Sequence, residues 1–76
     1  MSIAFVFLTA EVGFENKVLN ELKLPCVKEV YPIFGIYDII VKINADSPEQ
    51  LKEIISSNIR NLSNVQSTIT LFVKEG

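Results

Sequence analysis

The sequence predicts an α+β sandwich, with four strands and two helices following one another as β-α-β-β-α-β. Three observations carry that expectation. The chain opens on an uninterrupted apolar run, two segments with helical spacing alternate with strand-like ones, and a hairpin around a single glycine sits in the middle.

Ile3 to Thr9 is apolar throughout, with large and small residues alternating, which suits a strand covered on both faces. Glu11-Val12-Gly13 breaks the run. Phe14, Val18 and Leu22 then recur at i, i+4 and i+8, with Leu19 beside them and Glu15, Lys17 and Glu21 outside, the pattern of an amphipathic helix. Pro25 ends it, because the residue before a proline is pushed out of the helical region. Val27–Phe34 and Tyr37–Asn44, rich in Val, Ile, Tyr and Phe, read as the second and third strands. Gly35-Ile36 between them fits a two-residue type II′ turn, in which glycine accepts positive φ at the first position. Pro32 cannot donate to a ladder, so its strand should be an edge or its amide position should face away from the neighbour.

Asp46-Ser47-Pro48-Glu49-Gln50 marks the second helix: Ser47 can cap it, Pro48 takes the first turn and Gln50 completes a capping box. Leu51, Ile54, Ile55, Ile59 and Leu62 follow as an apolar stripe of about three turns. Val65–Val73 is the last strand, with Thr68 and Thr70 on one face and Ser67, Ile69 and Leu71 on the other. Right-handed crossovers through both helices give a ferredoxin-like sandwich, both helices on one face of a four-stranded antiparallel sheet. Two helices cover one face only. The first strand nevertheless offers Ile3, Phe5 and Phe7 to one side and Ala4, Val6 and Leu8 to the other. A second copy of the sheet is the simplest cover, which would make a dimeric α+β barrel.

Composition narrows the function. Seventy-six residues, 49% of them hydrophobic, suit one domain over 1–76 with more apolar surface than a single copy can bury. The net charge is −2 and the seven cations are scattered singly, so duplex nucleic acid has no basic face to dock on. No stretch approaches the roughly 18 apolar residues of a membrane span. The opening apolar run lacks a basic n-region, so it is a strand and not a signal peptide, and the expected location is cytoplasmic. With no His, no Trp and one Cys, neither a Ser–His or Cys–His nucleophile nor an imidazole or thiolate zinc site can be assembled. No cofactor loop, metal site or catalytic residue is expected.

Tyr31-Pro32-Ile33-Phe34-Gly35-Ile36-Tyr37-Asp38-Ile39-Ile40-Val41-Lys42 resembles the hairpin of the Lrp/AsnC effector (RAM) domain, where Gly-x-Tyr-Asp leads into an aliphatic strand. Val27-Lys28-Glu29-Val30-Tyr31 is similar to that family's second strand, and Val65-Gln66-Ser67-Thr68-Ile69-Thr70 to its Ser/Thr-rich last strand. The resemblance runs from Ile3 to Lys74. It implies a regulatory, non-catalytic role: dimers formed through the sheets, higher octamer-like assemblies, and a free amino acid bound as effector between dimers. Family members carry an N-terminal helix-turn-helix. Here the first strand begins at Ile3, which resembles the stand-alone form, acting through full-length Lrp/AsnC regulators or through its own assembly.

The same resemblance points to Gly35, Ile36, Tyr37, Asp38, Thr68 and Thr70 as ligand-binding candidates. Chemically, the hairpin amides around Gly35-Ile36 and the hydroxyls of Thr68 and Thr70 could hold a carboxylate, and Asp38 an ammonium group. Each also has an ordinary explanation. Gly35 serves the turn, Asp38 could simply be solvated, and Tyr37, Thr68 and Thr70 are good strand formers. Two rivals stay open: a purely structural oligomerisation subunit, and an ACT-like sensor of the same strand order.

Overall fold

A computed structural model describes residues 1–74. The alternating apolar run forms strand β1 (Ser2–Ala10), followed by helix α1 (Glu15–Glu21), strands β2 (Val27–Pro32) and β3 (Ile39–Ala45), helix α2 (Pro48–Ile54) and strand β4 (Val65–Phe72). The sheet order is β2-β3-β1-β4, every neighbouring pair antiparallel. This is the ferredoxin-like sandwich expected from the sequence. Pro32 ends β2, which is an edge strand, so its missing N–H costs the ladder nothing.

The core lies between the sheet and the helices. Ala4, Val6, Leu8 and Ala10 of β1 and Ile39, Val41 and Ile43 of β3 are buried against Val18 and Leu22 of α1 and against Leu51, Ile55 and Ile59. No polar or charged residue is buried among the described residues. Alternation of period two on the strands and of three to four on the helices therefore selects one face of each element. Phe14, the first member of the α1 stripe, stays 40% exposed at the helix N-cap.

Helix α2 starts as its sequence predicts. Ser47 Oγ accepts from Gln50 N–H at 3.2 Å and Pro48 occupies the first turn. The Gln50 side chain reaches one residue further back than in the usual box, its Oε1 accepting from Asp46 N–H at 2.9 Å. The helix does not run on regularly. Ile55–Ile59 is a π-helical turn, closed by Arg60 N–H donating to Ile55 C=O at 2.9 Å.

The β2–β3 connection corrects one expectation. Ile33 N–H donates to Asp38 C=O at 2.8 Å, which leaves Phe34-Gly35-Ile36-Tyr37 as a four-residue loop where a two-residue turn was expected. Gly35 has φ +145°, far from the value near +60° that the first position of a type II′ turn requires. Both flanking strands are correspondingly shorter than the aliphatic runs suggest, because Phe34 and Ile36 project from the loop.

Candidate functional site

Six candidate residues lie on two segments separated by β1. The register pairs Leu8 with Ile39 on one side and with Thr68 on the other. Asp38 and Thr68 thus flank the same end of β1, about two strand spacings or roughly 10 Å apart. They share an end of the sheet and do not meet within one chain.

Asp38 is fixed by β1. Its Oδ2 accepts from Ala10 N–H at 2.9 Å and its own N–H donates to Leu8 C=O at 2.8 Å. The carboxylate therefore closes the end of the β1–β3 ladder, a task invisible in its sequence neighbours. Tyr37 turns to the face of the sheet away from the helices, where its ring meets Phe7 edge-on with centroids 5.8 Å apart. Gly35 and Ile36 stand at the loop tip, and Phe34 and Ile36 are fully or nearly fully exposed, at 105% and 87%. Two large apolar side chains at that exposure have nothing among the described residues to pack on.

Thr68 and Thr70 face the helix side, as their pairing with the buried Leu8 and Val6 requires. Thr68 lines a cleft of about 280 Å³ with Arg60, Val65, Gln66 and Ser67. Thr70 lines a second, also about 280 Å³, with Lys52, Ile55, Ser56, Arg60 and Phe72. Neither cleft contains Gly35, Ile36, Tyr37 or Asp38. Arg60, Lys52 and Ser56 escaped the sequence reading. Their spacing at i, i+4 and i+8 was the available signal, and it reads equally well as the solvated side of a helix.

Local irregularity concentrates at this end. A bulge interrupts the β1–β4 ladder between Thr9 and Ala10, where Thr9 Oγ1 accepts from Ser67 N–H at 3.0 Å and shares a hydrogen bond of 2.8 Å with Ser67 Oγ. The turn into β4 passes through Asn64 at φ 68°, whose C=O accepts from Glu11 N–H at 2.8 Å.

The face away from the helices carries Tyr31, Ile69 and Leu71, which are 47%, 44% and 52% exposed, around the half-buried Ile3, Phe5 and Phe7. One charged cluster crosses it. Glu29 accepts from Tyr31 Oη at 2.5 Å and lies 3.5 Å from Lys42 Nζ. The tyrosine hydrogen bond, helped by Lys42, holds the Glu29 carboxyl below its ordinary value, and the same bond pushes the Tyr31 phenol up. Among the described residues no group of His, Cys, Asp and Glu is placed to hold a metal ion, and no helix is long and apolar enough to cross a membrane.

A sequence profile described as "Lrp/AsnC ligand binding domain" matches residues 3–75. The chain is 31% identical over 72 residues to the HTH-type transcriptional regulator FL11 of Pyrococcus furiosus, which covers 93% of this chain and 47% of the regulator. It is 50% identical over 50 residues to a homocitrate synthase of Sulfurisphaera tokodaii, covering 66% of this chain but only 11% of the enzyme. It thus spans half or less of each of these relatives. The crystal structure of a hypothetical protein from Pyrococcus horikoshii superposes with a TM-score of 0.91 at 34% identity, covering 100% of this chain and 93% of that one.

Proposed function

The chain belongs to the Lrp/AsnC ligand-binding domain family, and on that premise we propose that it is a non-catalytic, cytoplasmic regulatory module that binds a free amino acid and links that binding to its assembly. Two copies meet through the helix-free faces of their sheets, and dimers associate further into an octamer-like assembly. The amino acid sits where dimers meet, its carboxylate on the hairpin amides and the hydroxyls of Thr68 and Thr70, its ammonium on Asp38. Full-length Lrp/AsnC regulators are natural partners, and the module itself makes no contact with nucleic acid.

One observation carries this reading. The hairpin tip presents Phe34 and Ile36 to solvent on the segment that also holds Asp38 and the amides of Gly35 and Ile36, so an apolar surface lies beside groups able to hold a zwitterion. Family membership supports the amino acid as the ligand class. Linkage is then a thermodynamic consequence of the proposal: in a pocket completed by two dimers, ligand and neighbour strengthen each other by the same coupling free energy.

Thermal denaturation across the twenty amino acids tests it. A ligand that binds only the folded assembly stabilises by RT ln(1 + [L]/Kd), about 2.7 kcal/mol at a hundredfold excess over Kd. One or a few amino acids should raise the melting temperature and shift the mass seen by light scattering. A flat response to all twenty would leave a structural oligomerisation subunit in its place. Asp38→Asn sharpens the test, because the amide oxygen can still accept from Ala10 N–H while the charge is gone. Ligand affinity should fall about tenfold with the fold intact, as for loss of a charge-assisted hydrogen bond.

The homocitrate synthase match supports a second reading, in which the same module reports to a metabolic enzyme instead of a DNA-binding regulator. Its identity is higher than to the regulator, though over a shorter stretch. The shared segment is only 11% of the enzyme, which favours regulation over the reaction itself. Co-elution with homocitrate synthase or with a full-length regulator distinguishes the two.

A further inference from the structure

The rows of side chains that cross the helix-free face of the sheet are unequal along their length. Ladder pairing sets Glu29 of β2, Lys42 of β3, Phe5 of β1 and Leu71 of β4 in one row, and Tyr31, Ile40, Phe7 and Ile69 in the next. Glu29 and Lys42 are the only charged residues in either row. A carboxylate and an ammonium group thus stand on the β2–β3 half of a surface that is otherwise aliphatic or aromatic.

The chain already matches these charges to each other. Tyr31 Oη donates to Glu29 Oε2 at 2.5 Å, and Lys42 Nζ lies 3.5 Å from Glu29 Oε1, so each carboxylate oxygen has a partner. The tyrosine bond foremost, with Lys42 behind it, keeps the carboxyl charged to lower pH than usual. Stripping water from this patch therefore buries a neutral, hydrogen-bonded set and not a lone charge.

Two features decide what can cover such a surface. A two-fold contact sets a patch against the same patch of another copy, so the face must tolerate itself. A face of one sign would repel its copy, whereas these rows carry one charge of each sign with apolar side chains around them. Asn44, two residues beyond Lys42 on β3 and paired with Ile3, keeps its Oδ1 withdrawn from solvent with no hydrogen-bond partner among the described residues. A single copy thus leaves an acceptor unmatched on this side of the sheet, as a surface completed by another chain would.

We propose that Glu29, Tyr31 and Lys42 form the selectivity element of the open face, admitting a second copy of this chain and rejecting a chain that would leave a charge buried alone. The role rests on the sheet-to-sheet pairing proposed above. An apolar replacement of the pair could bind as tightly, since desolvating two charges offsets much of their attraction; what the pair adds is the penalty on mismatch. Related domains that carry a lone charge at these positions are thereby kept out of the dimer.

Sedimentation equilibrium tests this on the wild type, Glu29→Gln, Lys42→Met and the double variant. Each single change leaves one charge without its counter-ion beneath the covering sheet and should weaken self-association about tenfold or more. The double variant removes both charges and still offers an amide oxygen to Tyr31 Oη, so its association should return to within about threefold of the wild type. Urea denaturation at high dilution should barely distinguish these chains, because the pair is solvated in one copy, and this separates an interface role from a merely structural one. Lys17→Met, which breaks the ion pair with Glu21 on α1, should leave association unchanged. A wild-type dimer indifferent to both single changes, or a double variant weakened by the product of the two, would overturn the role while leaving the pairing intact. A wild type monomeric at every concentration would remove the pairing and the role together.

Discussion

The two faces of the sheet are made from the same strands and meet different fates. On β1, Ala4, Val6, Leu8 and Ala10 are sealed beneath the helices, while Ile3, Phe5 and Phe7, one residue out of phase, are only half-buried. On β4 the contrast reverses in chemistry: Thr68 and Thr70 face the helix side, and the apolar Ile69 and Leu71 face outward. A strand patterned for a half-exposed sheet would alternate apolar with polar. This one is apolar on both sides at its centre, so the helices complete one interior and leave a second surface suited to a partner.

The largest effect expected distinguishes neighbours on β1. Leu8→Ala empties a fully buried position and should cost about 2–5 kcal/mol in urea denaturation, at any protein concentration. Phe7→Ala should destabilise in a concentration-dependent way if a second copy covers its face, and by an equal amount at all concentrations if none does. Next comes Leu71→Glu, at a position 52% exposed. It should leave the monomer folded by circular dichroism and shift light scattering toward a mass near 8.5 kDa, since a charge cannot be buried unpaired between two sheets. An unchanged mass would show that the open face is no interface.

A smaller effect probes the helical cover. Ser47→Ala removes the Oγ acceptor of Gln50 N–H and should cost about 1 kcal/mol in the same denaturation experiment. The smallest lies on the open face. Glu29 titrates below its ordinary 4.5, so whatever stability its hydrogen bond contributes is present above that value and fades as the pH falls through the lowered one. Tyr31 titrates above its ordinary 10.0, so its share is present below that value and is lost as the pH rises through the raised one. Both groups are exposed, and the stability profile between these limits should be nearly flat. Carbon-detected NMR checks the cause: Tyr31→Phe should return the Glu29 carboxyl upward.

Much of the candidate site was legible only as residue types. Asp38 reads as a polar residue after a turn; its bond to Ala10 N–H depends on a register between segments 28 positions apart. Tyr37 reads as a strand residue, yet it lies in the loop and packs on Phe7. Thr68 and Thr70 share a face in the sequence pattern and in the structure, because period two needs no knowledge of the partner strand. That this face overlooks a cleft with Arg60 follows from how α2 lies across the sheet, which no local pattern encodes.

By itself the sequence determined the order of elements, the helix cap at Ser47, and most of the core positions. Each rests on interactions within a few residues: backbone sterics, a side chain reaching its own helix start, or a periodicity that sorts apolar from polar. Tertiary structure decided the four-residue loop around Gly35, the engagement of Asp38 by β1, the π-helical turn before Arg60, and the distribution of the candidates over both faces of the sheet. These depend on which strand lies beside which and in what register, and that is settled by contacts between residues distant in the chain, whose free energy the local pattern does not contain.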